Sequence, residues 1–281
     1  MKPSFHNKLL SSFYLWCDHR IAAIGGGFYN YSGSLYPSAD PSFDKNTSIY
    51  ASPYRQWIYD SSVPGASIPS GIYVNNTQIN RSTSGLAIDF NKGRVIFDNN
   101  IIHSNNISAK FSYKEYNLYY TDEKEETLLF EKSPAVTSVI KSSVQPLGYL
   151  DLPFPCIFIK NTFNQNEAFA FGGQQSTSTS IRCIVLASNS FSLDSLSSLM
   201  TDSLHKSFPV LENSDLPFNN LSDLRNSFNY ADICNSTSQN NLAFIQNVSV
   251  SKLHEIDNAK MNKKCIAAFI DFDISNIRYV S

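Results

Sequence analysis

Apolar and polar residues alternate along Ser84–Thr121, and the alternation predicts three strands and one tight hairpin. Leu86, Ile88 and Phe90 fall on one face, with Ala87 and Asp89 on the other. Asn91-Lys92-Gly93 then turns the chain in a three-residue loop, with Gly93 taking a positive φ, and Val95 and Phe97 resume the pattern. Ile107, Ala109, Phe111 and Tyr113 continue it against Ser108, Lys110 and Ser112. A further hairpin is expected over residues 71–81, turning at Asn75-Asn76, and together these strands read as a meander. Asp122–Glu126 reads as a charged turn, with a strand resuming over Thr127–Glu131.

Upstream the period changes to that of a helix. Phe5, Leu9, Phe13 and Trp16 form one stripe within residues 4–24, and Gly25-Gly26-Gly27 ends it. So wide an apolar face needs cover, either from the chain's own sheet or from a neighbouring subunit. Residues 28–70 are rich in Tyr, Ser, Pro and Asp and show little periodicity, which predicts a long irregular segment. Within it Tyr50, Tyr54, Trp57 and Tyr59 cluster beside Arg55. Tyr, Trp and Arg are favoured at interface hot spots, so this group is a candidate contact surface; packing against the chain's own sheet is the alternative.

Prolines at 134, 146, 153 and 155 cannot sit in central strands and mark a boundary. Beyond it come short strands at Cys156–Lys160 and Ala168–Phe171 and a longer one at Ser178–Ser188. A helix follows over 193–207, capped by Ser192, with Phe191 and Leu196 at the staple positions. Its buried stripe is Leu193, Leu196, Met200, Leu204 and Phe208. A short helix is expected at 221–230, and strands return at Ala243–Lys252 and Lys264–Ile274. The fold class is α+β and β-rich: an N-terminal helix with an antiparallel sandwich or meander, then an antiparallel sheet with one packed helix. The expected division is 1–27 (helix and glycine hinge), 28–132 (aromatic loop and meander), 133–155 (linker) and 156–281 (α+β domain).

Composition narrows the chemistry. Charged residues make up 16% of the chain and the net charge is −2, so the clustered Lys and Arg of a nucleic-acid footprint are missing. Five widely spaced cysteines without a CxxC do not form a disulfide framework, and no apolar run reaches membrane-spanning length. The apolar stretch near the N-terminus is broken by Ser11 and Ser12 and ends at Asp18-His19-Arg20, so it reads as a helix of a protein made in the cytoplasm. None of the five histidines stands in HxH or HExxH spacing. Cys17 and His19, two apart on a helix, point to different faces and do not pair. Asp271 and Asp273 share one face of a strand. They are candidates for a divalent cation or an acid/base pair, or for a solvated strand face that would line a ring lumen with negative charge. Two carboxylates on a flat strand give only part of a hard cation's shell, so no metal and no cofactor is expected.

The second half reads TSTSIRCIVLASNSFSLDSLSSLMTDSLHKSF, then NLAFIQNVSVSKL, then KCIAAFIDFDISNIRYVS. This order, a long strand, one helix and paired returning strands, resembles the neck and tail-terminator proteins of tailed bacteriophages. The first half, with SGLAIDFNKGRVIF and ISAKFSYKEYNLYYT, is similar to virion proteins of marine and cyanobacterial phages. The resemblance implies a structural protein of the virion, forming a six- or twelve-fold homo-oligomeric ring at the head–tail junction or upper tail. Its partners would be neighbouring neck, portal-adaptor or tail proteins. Genomic DNA would pass nearby without sequence-specific binding, and no membrane would be involved. No catalytic residue carries over. The alternative is a receptor- or carbohydrate-binding baseplate or fibre module that stacks ligands on Trp57 and the Tyr-rich loop. A hydrolase using Asp271 and Asp273 is the third reading.

Overall fold

A computed structural model describes residues 5–44, 46–98, 106–130, 133–134, 139–140, 143–144, 151–152, 154–170, 173–219, 223–225, 227–236, 241–253 and 265–279. Helix α1 (Phe5–His19) runs into a wider, π-helical turn over Arg20–Ile24. The strands β1 (Phe28–Ser34), β2 (Tyr36–Ser38), β3 (Ser48–Ala51), β4 (Gly71–Val74), β5 (Thr77–Asn80), β6 (Leu86–Asp89), β7 (Arg94–Phe97), β8 (Ile107–Lys114) and β9 (Asn117–Tyr120) follow. Then come α2 (Glu125–Phe130) and four two-residue strands: β10 (Ser133–Pro134), β11 (Val139–Ile140), β12 (Ser143–Val144) and β13 (Asp151–Leu152). The rest comprises β14 (Cys156–Ala170), β15 (Gln174–Ala187), α3 (Ser190–Thr201), β16 (Ser207–Pro209), α4 (Tyr230–Ser236), β17 (Leu242–Lys252) and β18 (Ile266–Tyr279). The α+β, β-rich class expected from the sequence is therefore the fold of the protein.

The first-half strands form two four-stranded sheets, ordered β1-β8-β4-β5 and β2-β3-β7-β6. They are not one meander. Alternation located most of these strands, but a period of two carries no information about which strand lies beside which. The segment 28–70, expected to be irregular, supplies β1, β2 and β3. Two tyrosines and a glycine hide the alternation of β1, and β3 is buried on both faces, so neither shows an amphipathic pattern. The Asn75-Asn76 turn is as expected, with φ of 50° and 66° at the two asparagines. At the other hairpin Asp89 pairs with Arg94, so the loop is one residue longer than the sequence suggests. Gly93 there has φ of 63°, and a Cβ on it would strike the Tyr54 carbonyl oxygen and come within 2.8 Å of Trp57 Nε1.

The second half builds a six-stranded sheet, β16-β17-β18-β15-β14-β9. Strand β14 is a single long strand, where two short ones were expected, because the polar run between them stays paired with β15 as far as Ala170↔Gln174. Helix α3 begins earlier than expected: Asn189 is the cap, its side chain accepting from the Ser192 N–H at 2.8 Å. Phe191 thus lies inside the first turn and is 80% exposed, not stapled. Leu204 falls beyond the helix, and Phe208 is a buried residue of β16. The expected strand at Thr127–Glu131 is replaced by α2, which seats Leu128 and Leu129 on the sheet. The helix expected at 221–230 falls partly outside the described residues; α4 begins at Tyr230.

The expected linker, 133–155, falls largely outside the described residues. One apolar cluster joins Phe13 and Trp16 of α1, Ile88, Phe111 and Trp57 of the first half, and Met200, Ile270 and Phe272 of the second. Strand β9 crosses over to lie parallel to β14, pairing Asn117–Tyr120 with Cys156–Ile159. Helix α1 lies on the six-stranded sheet, with the Phe13 ring 5.0 Å from Phe272 and 5.8 Å from Phe208. The wide turn after α1 aims Arg20 at the end of α3, where Nε and Nη2 donate to the Leu199 carbonyl at 3.0 and 2.9 Å. That carbonyl lies in the last turn of α3, where intrahelical donors run out.

Candidate functional site

The residues singled out in sequence as contact anchors separate into buried and exposed sets. Leu9, Phe13 and Trp16 are covered by the chain's own sheet, and Phe5 is half-buried with the Arg278 guanidinium 4.0 Å from its ring centre. Tyr50, Trp57 and Tyr59 are core residues. Trp57 stacks on Phe111 at 3.9 Å between ring centres, and its Nε1–H donates to the Tyr54 carbonyl at 3.0 Å. The interface expectation for these six residues from Leu9 to Tyr59 is corrected to core packing: an aromatic cluster in sequence fits a hydrophobic interior as well as a hot spot, and here the interior takes it.

Of the cluster from Tyr50 to Tyr59, Tyr54 and Arg55 reach the surface, in a group the sequence does not assemble. Tyr54 stacks on Tyr113 at 4.0 Å, with Tyr31 edge-on at 5.1 Å, and Tyr29 lies 6.0 Å from Tyr113. These rings come from β1, β8 and the loop after β3. Tyr29, Tyr54 and Tyr113 line an open cleft of ≈ 470 Å³, with Arg55, Glu115 and Asn189 among the polar groups around it. Burial, then the neighbouring Tyr54, pushes the Tyr113 hydroxyl up to about 12. Burial also lowers the Arg55 guanidinium from its usual value. Tyr29 and Tyr113 stand opposite each other on β1 and β8, a pairing legible only once those strands are known to be adjacent.

Asp271 and Asp273 do share one face of β18. Asp271 is spent on Arg182, accepting from Nε at 2.7 Å and Nη2 at 3.0 Å, while Arg182 Nη1 also reaches Glu125 at 3.0 Å. These carboxylates hold the Arg182 pKa above its usual value. Asp273 accepts from Ser180 Oγ at 2.8 Å. Among the described residues no group of three His, Cys, Asp or Glu side chains is placed to hold a metal ion, and no helix is long and apolar enough to cross a membrane.

One cluster combines histidine, carboxylate and hydroxyl. His19 Nδ1 lies 2.7 Å from Asp60 Oδ2 and 3.4 Å from Ser62 Oγ, but Ser62 Oγ donates to Asp60 Oδ1 at 2.6 Å. In a hydrolytic triad the hydroxyl meets the ring nitrogen opposite the carboxylate. Here both partners crowd one nitrogen, so the cluster acts as a clamp. Asp60 Oδ1 also accepts the Ser62 and Tyr230 N–H groups at 2.9 and 3.0 Å, tying the end of α1 to the start of α4. Cys17 is buried and takes no part. Burial alone would raise the Asp60 pKa, but the bonds from His19, Ser62 and Tyr230 outweigh it and lower it. A depressed carboxylate pKa contributes stability above the unfolded value of about 3.9 and loses it as pH falls through the folded value. Asp60→Ala is therefore expected to cost about 2 kcal/mol at neutral pH, and the gap from the parent should shrink below about pH 4. Urea unfolding at several pH values measures it; a gap independent of pH would remove the carboxylate from the account.

A scan against protein-family models found no match for this chain, and a search of curated proteins found none either.

Proposed function

We propose that this protein is a structural component of a tailed-phage virion, assembling as a ring at the neck or upper tail. It would hold neighbouring neck, portal-adaptor or tail proteins around the passage taken by the genomic DNA. The observation that carries the reading is the open end of the six-stranded sheet. Beyond the cover of α2, its face presents Ser176, Ser178, Ser180 and Ser275 with the apolar side chains Phe163, Phe244 and Ile277, which are 52%, 42% and 43% exposed. An extended sheet face that mixes small hydroxyls with isolated large apolar groups suits broad, non-covalent contact with other subunits. The strand–helix–strand order that resembles tail-terminator proteins supports the same assignment. Mass photometry and negative-stain microscopy of the full chain test it. Closed rings are expected, and a monomer at tens of micromolar would sink the reading.

A second reading rests on the Tyr29/Tyr54/Tyr113 cleft. Tyrosine faces beside Arg55 and Glu115 are the groups that stack on sugar rings and bond their hydroxyls, as a receptor-binding module requires. Trp57 is buried and drops out of that site. Glycan-array binding abolished by Tyr54→Ala would favour this reading over the ring.

A further inference from the structure

The long hairpin of β14 and β15 leaves one strand edge open. Strand β9 covers β14 only along Cys156–Ile159, and among the described residues no strand pairs with its outer edge beyond that point. Every residue from Thr162 to Phe169 is exposed, including Phe163 at 52% and Phe169 at 57%. An open edge is a template for another strand, and soluble proteins usually blunt it with Lys, Pro or inward-pointing charge. The stretch Thr162-Phe163-Asn164-Gln165-Asn166-Glu167-Ala168-Phe169 contains no Lys and no Pro, and one charge. Register shifts fall at Asn161/Phe163 and Ala168/Ala170, so Phe163–Ala168 keep a regular pleat against β15 and Phe169 stands at the second shift.

Two of the three residue pairs flanking Asn166 on this edge are alike, Gln165 with Glu167 and Phe163 with Phe169, while Asn164 falls opposite Ala168. We infer that β14 pairs antiparallel with β14 of a second copy of this chain across a two-fold axis at Asn166, joining the two six-stranded sheets edge to edge. In that register the Gln165 amide of each copy faces the Glu167 carboxylate of the other, and each Phe163 faces a Phe169. The one charge of the Thr162–Phe169 stretch therefore meets an amide donor and never its own copy. Within the chain Gln165 Nε2 already donates to Glu167 Oε1 at 2.7 Å, so amide and acid reach each other on this face. Shifting the register by two residues would place Phe163 opposite Glu167 and forfeit both kinds of pair. The contact is isologous, so it closes on itself as a pair; combined with a cyclic contact elsewhere it gives a double ring of dihedral symmetry. The pairing rests on the strand itself and deepens the ring reading without depending on it.

A cysteine on the axis tests the geometry. Directly opposed residues of an antiparallel pair have Cα atoms about 4.5–5.5 Å apart, inside the about 4.4–6.8 Å span of a disulfide. Cys234 is the exposed native thiol among otherwise buried ones, so the full chain carries Cys234→Ser as background. With Asn166→Cys added, mild oxidation by diamide is expected to give a covalent dimer on a non-reducing gel. Thr162→Cys, whose opposite number is Ala170, is expected to remain largely monomeric on that gel. Phe163→Lys with Phe169→Lys places like charges opposite each other and should weaken dimerisation at least about tenfold in sedimentation velocity. A folded Asn166→Cys protein whose thiol reacts freely with maleimide but forms no dimer overturns the pairing. Rings in the microscope without that cross-link would sink the two-fold and leave the ring reading standing. Cross-linked pairs that never close into rings would sink the ring reading and support the pairing.

Discussion

Replacing Trp57 with Ala is expected to cost about 3–5 kcal/mol of folding stability, enough to leave the chain marginal or unfolded at room temperature. Trp57 is fully buried and bridges the two first-half sheets: its ring lies on Phe111 of β8 and stands edge-on to Phe90, the residue after β6, at 6.4 Å. Its backbone N–H donates to the Phe90 carbonyl at 2.7 Å, so losing the ring opens a cavity beside a backbone joint that cannot easily collapse. Phe in its place should retain the stack and lose only the Nε1–H bond to Tyr54, costing about 1 kcal/mol. Far-UV circular dichroism against urea reads both. A Trp57→Ala chain that melts like the parent but associates more weakly would restore the tryptophan to an interface.

That residue also marks what the sequence made legible. Period-two alternation located β6 and β8, the turn at Asn91–Gly93 located β7 although it is buried on both faces, and the glycine run found the end of α1. Neighbour relations stayed hidden. Strand β1 pairs with β8 across a separation of some eighty residues, Phe28↔Lys114 to Ser34↔Ser108, and its tyrosines and serines form no apolar stripe to announce a partner. The aromatic group of residues 50–59 divides between core and surface according to strand order, so composition alone could not sort Trp57 from Tyr54. The open edge of β14 was missed for a related reason. Its polar residues read as a loop between two short strands, when Phe163 and Phe169 were the signal that a strand runs through. The Asp271–Asp273 face was legible because it depends on strand parity alone. The Arg182 that neutralises Asp271 comes from the adjacent strand and required the register.

Lys114 is expected to be the most consequential charge in the protein. Its Nζ lies 2.7 Å from Asp18 Oδ2, at the end of β8, and both side chains are buried. The Tyr116 hydroxyl donates to Asp18 Oδ1 at 2.8 Å, and the Tyr59 ring sits 4.7 Å from the ammonium. This cluster fastens α1, which rides on the six-stranded sheet, to a strand of the first-half sheets. Removing one partner of a buried ion pair strands the other charge without water, a loss of about 3–5 kcal/mol. Lys114→Met should therefore destabilise by that amount, although Met fills much of the same volume. Removing both charges is a different experiment: Asp18→Asn with Lys114→Met should recover most of the loss, because an amide can still accept from Tyr116 and no uncompensated charge remains. Urea unfolding of the two singles and the double completes the cycle, and a coupling of at least about 2 kcal/mol is expected between the sites. Additive single effects would mean that the pair contributes packing only. The halves of the protein would then be joined by the apolar cluster around Phe13 and Trp57 rather than by charge.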